Sequence, residues 1–165
     1  MITLQPITHA NAAFFKEIRL KALQDSPFAF SSTYERESQF PDSEWTNRIE
    51  RWSGKTGIGY LALDNNLACG IAGALLDSED PIHIHLVSMW TAPTHRNQGV
   101  GQLLVEQILH WAALKSAPGL HLMVTSVNIP AIRFYERLGF IRTGNTIPFP
   151  NDPALIEYEM FRPIR

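Results

Sequence analysis

The chain predicts a mixed α/β domain whose sheet begins antiparallel and gains one parallel crossover. Two observations carry that prediction. Three strand-like runs follow one another over residues 60–91, parted by short polar turns. An amphipathic helical stretch over residues 99–115 then stands between two strands, which calls for a crossover connection.

In order, residues 2–5 read as a short first strand. Thr8 is placed to cap a helix running to about Leu23, with Phe14, Ile18 and Ala22 on one face. Ser26-Pro27 breaks it. Asp42 is placed to cap a second helix that spaces Trp45, Ile49 and Trp52 on one side, and residues 53–57 form a loop. Residues 60–63 and 67–76 form a hairpin about Asp64-Asn65-Asn66. After a polar turn at 77–81, residues 82–91 make a long strand that stops at Ala92-Pro93. The helix over 99–115 shows Val100, Leu103, Leu104, Ile108 and Trp111 as its apolar positions. A strand over 120–125, a short helix over 130–138 stopped by Gly139, and strands over 140–143 and 156–160 complete the chain. The last two strands flank a loop rich in Pro, Asn and Asp.

The length of 165 residues suits one domain, 1–165, with a core that needs no disulfide or metal. A net charge of −2 lacks the basic footprint of a nucleic-acid binder, so no nucleic-acid partner is expected. No segment is apolar enough to span a bilayer, no leader is visible at the N-terminus, and Cys69 is the only cysteine. A reduced cytoplasmic setting without a membrane partner is the expectation.

The most informative segment is Arg96-Asn97-Gln98-Gly99-Val100-Gly101. It lies between a strand and a helix. The first backbone N–H groups of a helix lack internal partners, and the helix dipole adds positive character there. Glycines allow a bulky anion to approach the backbone. Strand, glycine turn and helix N-terminus together make a diphosphate cradle. The spacing is neither that of a Walker A loop nor that of a dinucleotide-binding G-x-G-x-x-G.

Two strings resemble the GNAT superfamily of N-acetyltransferases. Arg96–Gly101 matches its Q/R-x-x-G-x-G/A signature, and Asn128, Ala131, Phe134, Tyr135, Gly139 and Phe140 match its N-x-x-A-x-x-F-Y-x-x-x-G-F motif. Met89-Trp90-Thr91-Ala92-Pro93 is similar to the Met-Trp-Val-x-Pro string of many bacterial members, with Thr91 in place of Val. Residues 19–30 resemble the first helix and loop of the same group. The resemblance implies a mostly antiparallel sheet of six to seven strands flanked by about four helices. It implies acetyl-CoA as cosubstrate, direct acetyl transfer to a primary amine of a small molecule, amino acid or peptide, and no metal. The family's habit allows a homodimer. A sensor that binds acyl-CoA with little catalysis is the alternative, against which Tyr135 and His85 argue.

The resemblance also assigns residues. Amides of Gly99, Val100 and Gly101 would hold the CoA pyrophosphate, with Arg96, Asn97, Gln98 and Gln102 beside it. The backbone of Met89, Trp90 and Thr91 would pair with the pantetheine arm, and the Met89 amide would polarise the acetyl carbonyl. Asn128 would bond the pantetheine, though its position also fits a plain helix N-cap. Tyr135 would act as general acid to the departing sulfur, against a plain core aromatic. Thiol and phenol have ordinary pKa values of ~8.5 and ~10, so that proton transfer is nearly balanced.

An alkylamine must lose a proton before it attacks. Six residues before Thr91 stands His85, at a position where many relatives carry Glu, and His83 shares its strand face by alternation. Both are candidate bases, ahead of Asp77 and Glu79. His83-x-His85 supplies only two metal donors, and no third is evident in the sequence. Cys69 reads as a packed core thiol, so no acyl-enzyme is expected. The acceptor site is expected between residues 28–40, 54–57 and 146–153, with Phe149 as lining, Trp45 and Trp52 as lining or, by preference, core, and Glu35 and Glu37 as attractors for a cation or plain exposed acids.

Overall fold

The computed structural model describes residues 1–165. Seven strands form one sheet in the order β1-β2-β3-β4-β5-β7-β6. They are β1 (Ile2–Pro6), β2 (Gly57–Asp64), β3 (Leu67–Leu76), β4 (Ile84–Thr91), β5 (Gly119–Thr125), β6 (Ile141–Phe149) and β7 (Asp152–Pro163). Every pairing is antiparallel except that of β4 with β5, which the crossover helix α4 (Val100–Leu114) connects. The fold class and the crossover are as the sequence predicts. No helix is long and apolar enough to cross a membrane.

The two sides of the sheet carry separate cores. On one side α4 and α5 (Ile129–Arg137) bury Leu104, Ile108, Ile132 and Tyr135 against Ile84, Leu86, Leu120, Leu122 and Met160. On the other side α1 (Ala12–Asp25) and α3 (Asp42–Arg51) bury Phe15, Ile18, Trp45 and Ile49 against Leu61, Ile71 and Trp90. Trp52 lies flat on β2 and β3 because Gly59 and Gly73 leave room. A Cβ added at either would come within 2.2 and 2.6 Å of its ring.

Several boundaries differ from the sequence expectation. Thr8 caps a short 3-10 turn, and α1 follows from Ala12. That turn rotates the helix, so Phe15 is buried and Phe14 is exposed. Asp42 is the first helical residue of α3 and Pro41 occupies the cap. The one-turn α2 (Tyr34–Glu37), capped by Thr33, carries too few residues to show a period. Leu103 is exposed on α4. The long loop expected before residue 156 is instead the body of a hairpin, with a turn at Pro150-Asn151. Eight of the nine β6 residues are exposed, so no alternation marks it as a strand.

Candidate active site

Strands β4 and β5 pair at only two positions, Ile84↔Leu120 and His85↔His121. Beyond His85 the β5-facing edge of β4 has no partner strand. β4 bulges against β3, because Gly73 pairs with Val87 while Ile71 pairs with Trp90. Ser88 lies in the bulge with φ of 57°, a left-handed conformation that a non-glycine residue rarely holds. Its hydroxyl accepts a hydrogen bond from Arg19 Nη1 at 3.2 Å.

Arg19 in turn grips Glu37 through two parallel bonds of 3.0 and 2.9 Å, and Arg48 closes on the same carboxylate. Burial alone would raise Glu37, but the two arginines win and hold its pKa at about 2. Glu37 is fully buried and therefore serves the scaffold, which corrects its expected part as an attractor for substrate. Its network ties α1, α2 and α3 to the β4 bulge.

The glycine turn follows β4 as expected. Asn97 and Gly99 both take positive φ, 61° and 84°, and α4 begins at Val100. Nothing stands within 4 Å of a Cβ built on Gly99, so that helix end faces open space. Gly101 differs, because a Cβ there would meet Phe134 at 2.9 Å and Met89 at 3.1 Å. Its smallness serves packing between α4 and α5.

The side chains beside the turn are partly engaged. Arg96 donates to the Thr91 carbonyl at 2.9 Å and pairs with Asp25. Asp25 also accepts from the buried Trp90 indole at 3.0 Å. Burial opposes ionisation of Asp25, yet Ser26, Trp90 and Arg96 together hold its pKa below the ordinary value. Gln98 reaches back to the Thr94 carbonyl, and Gln102 bonds Glu106 along α4. What the turn offers outward is main chain.

Asn128 caps α5, accepting from the Ala131 amide at 3.4 Å. Two turns on, Tyr135 is buried against Phe134 and Phe140. Burial pushes its phenol well above the ordinary range, so it stays protonated. It makes no hydrogen bond within the chain yet is not a sealed orphan, so its hydroxyl keeps a small opening.

At the vertex of the split, three imidazoles gather. His83 precedes β4 rather than lying within it, yet its ring is 4.7 Å from that of His85. It stacks at 3.6 Å on His121, which the sequence reading missed because β5 joins β4 only through the crossover. Asp77 lies 3.6 Å from His85 Nε2, and Glu159 lies 3.9 Å from His121 Nδ1. Burial lowers the pKa of His85 and His121, and the neighbouring His83 adds to this. The donor atoms of His83, His121 and Glu159 lie within 4.8 Å of one another, so a third metal-capable donor does exist.

The sequence pattern of the acetyltransferase (GNAT) family matches residues 19–140. The chain belongs to this family. The GNAT acetyltransferase from Streptococcus pneumoniae superposes with a TM-score of 0.84 over 100% of both chains at 20% identity. The PaiA N-acetyltransferase from Thermoplasma acidophilum, solved with coenzyme A, gives 0.77 over 99% of both at 14% identity. In sequence, the chain is 34% identical over 79 residues to the peptidyl-lysine N-acetyltransferase YjaB of Salmonella typhimurium, covering 44% of this chain and 51% of YjaB. It spans 28% and 57% of the two other curated relatives it matches.

As a GNAT chain, it also has a cavity of about 540 Å³ on the α1 side. Phe28, Tyr34, Glu35, Phe149 and Asp152 line it, so two of the three expected acceptor segments meet. The loop at 54–57 does not join them; Thr56 borders a separate cavity with Glu44 and Arg51. Trp45 and Trp52 are core residues, as their burial states.

Proposed function

We propose that the protein is an acetyl-CoA-dependent N-acetyltransferase that passes the acetyl group directly to a primary amine. The observation that carries this reading is the open edge of β4 beyond His85, lying directly before the glycine turn. A free strand edge and an open, left-handed Gly99 fit a thin extended arm that ends in a diphosphate. The coenzyme A bound to the Thermoplasma relative supports the same ligand here.

Acetyl-CoA, when bound, supplies an activated acyl thioester. Amides of Gly99, Val100 and Gly101 hold the pyrophosphate. The Met89 amide donates to the acetyl carbonyl oxygen, whose negative charge grows during transfer. His85, with His83 behind it, takes a proton from the acceptor ammonium and leaves the lone pair free. The new C–N bond forms as the C–S bond breaks. Tyr135 donates its proton to the departing sulfur, which suits a phenol that burial keeps protonated, and the second proton shed by the attacking nitrogen as the amide forms restores the phenol. Buried Cys69, whose thiol burial pushes up, is a poor nucleophile and supports direct transfer.

A thermal-shift titration tests the reading. Acetyl-CoA raises the melting temperature of the protein, as linkage requires of a ligand bound by the native state. Release of thiol from acetyl-CoA then depends on an added amine. Absence of any shift with acetyl-CoA or CoA overturns the assignment. A shift without turnover of any amine favours a sensor.

A further inference from the structure

The paired ends of β4 and β5 carry side chains that acetyl transfer, as drawn above, does not use. His85 pairs with His121, and His121 with Phe161 of β7, so the three stand in one row across the sheet. Leu120, Leu122 and Met160 pack into the core beneath α4. By alternation His121 and Glu159 both face the α1 side. Glu157, next but one along β7 on that face, is buried opposite Thr125 without a hydrogen bond or ion pair and lies outside this cluster.

His121 Nδ1 is buried and makes no hydrogen bond. Glu159 Oε2 lies 3.9 Å from it, too far to bond it directly. Two ligand atoms on a tetrahedral zinc ion stand roughly 3.4 Å apart, as bonds of about 2.0–2.1 Å require. The spacing is therefore nearer to that of two ligands sharing an ion than to that of a hydrogen bond. The carboxylate is also oriented for the part. Its Oε1 accepts from the Thr143 hydroxyl at 2.8 Å and the Asn145 amide at 3.0 Å, which leaves Oε2 toward His121. Outer bonds of this kind fix ligand geometry in metal sites. His83 completes the set, since the donor atoms of all three residues lie within 4.8 Å of one another. An imidazole binds an ion in the plane of its ring, so His83 must tilt from its 3.6 Å stack on His121. It stands ahead of β4 and its ring makes no hydrogen bond, so no polar contact opposes the tilt. Neither Glu159 nor Asp77, beside His85, is paired with a lysine or arginine. Two imidazoles and one carboxylate suit zinc-type ions, whereas magnesium and calcium take oxygen ligands.

We infer that His83, His121 and Glu159 bind one zinc-type divalent ion, with water in the fourth position, and that the bound ion holds the transferase off. Occupation takes His83 from beside His85, whose ring is 4.7 Å away, and adds two positive charges next to the base. An ammonium ion is repelled there. The site stands on its own geometry, and the shut-off rests on the N-acetyltransferase reading with His85 as base.

The test uses the full chain without a histidine tag, stripped of metal with EDTA and dialysed. Zn2+ and Mg2+ are titrated by calorimetry into wild type, His121→Phe and Glu159→Gln. His121→Phe keeps a ring between His83 and Phe161, and Glu159→Gln keeps an acceptor for Thr143, so a melting temperature near that of wild type is expected of both. Wild type binds one Zn2+ per chain and ignores Mg2+, and each variant weakens Zn2+ by about tenfold or more. Co2+ gives wild type the visible absorption of tetrahedral coordination, and Zn2+ displaces it. Acetylated amine is counted by mass spectrometry, because Zn2+ also binds the CoA thiol. Zn2+ slows its formation in wild type, EDTA restores the rate, and Glu159→Gln resists the ion. No saturable Zn2+ binding, equal binding of Mg2+, or an affinity unchanged in both variants, which would move the ion to His9, His95 or His110, overturns the site. One bound ion with an unchanged rate overturns the shut-off. Failure of metal-free wild type to acetylate any amine overturns instead the reading on which the shut-off rests, and the calorimetry still decides the site.

Discussion

Glu37 and Glu157 are both buried carboxylates on the α1 side of the sheet, and their surroundings are opposite. Glu37 is enclosed by Arg19 and Arg48 and held ionised, with a pKa of about 2. Glu157 has no partner, and burial pushes it up. A buried charge is stable when paired and costly when not. The first arrangement therefore belongs to the scaffold: it fastens three helical segments to the β4 bulge. The second is a cost that the scaffold carries on β7, opposite Thr125. Perturbed, unpartnered groups gather at sites of chemistry.

The largest effect expected from breaking this contrast is on stability. Glu37→Gln leaves two arginines without their carboxylate and lowers unfolding free energy by about 3 kcal/mol or more. Denaturant unfolding measures it, and a loss below about 1 kcal/mol would show that Glu37 is not a structural anchor. Tyr135→Phe belongs to the opposite category. It lowers turnover about 100-fold, the lower range for a general acid, while the acetyl-CoA dissociation constant stays within about threefold. Equal losses in both would return Tyr135 to packing.

Gly99→Val places a side chain at a left-handed position in open space. It weakens acetyl-CoA by about tenfold in calorimetry, and unchanged affinity would remove the pyrophosphate from that turn. Gly101 gives no clean version of this experiment, since its neighbour is Phe134. The smallest effect concerns acid. Glu37 has a folded pKa below its unfolded value of 4.5, so its contribution is complete above about pH 4.5 and is lost as pH falls toward about 2. The denaturation midpoint of wild type falls across that window, and in Glu37→Gln the fall is shallower.

Much of the frame was legible in the chain. The hairpin at Asn65-Asn66, the crossover helix and the glycine turn rest on local patterns that a linear reading detects. So do the Asn128 cap and Tyr135, which one short helix holds two turns apart. The groups that went unread, or were given another role as Glu37 was, depend on distant chain meeting distant chain. Glu37 finds Arg19 across 18 residues and Ser88 is reached by Arg19 across 69, through packing that no periodicity announces. His121 and Glu159 join His83 only after β5 and β7 have taken their places in the sheet. Glu157 lies on a strand read as residues 156–160, and the side it faces follows only from the register. Arg96 was legible as a charge beside the turn, but its partner Asp25 was not, being brought there by the end of α1.

The bulge at Ser88 adds one lesson about what a residue can be for. Val87 and Ser88 both face α1, Met89 faces α4 and α5, and Trp90 faces α1 again. Without Ser88, Val87, Met89 and Trp90 would alternate regularly and each would keep its side. Neither core therefore requires the insertion. It is a spacer in the main chain: one surplus peptide that detaches a short run of backbone from the rhythm of the sheet, so that its N–H and C=O groups answer to something other than a neighbouring strand.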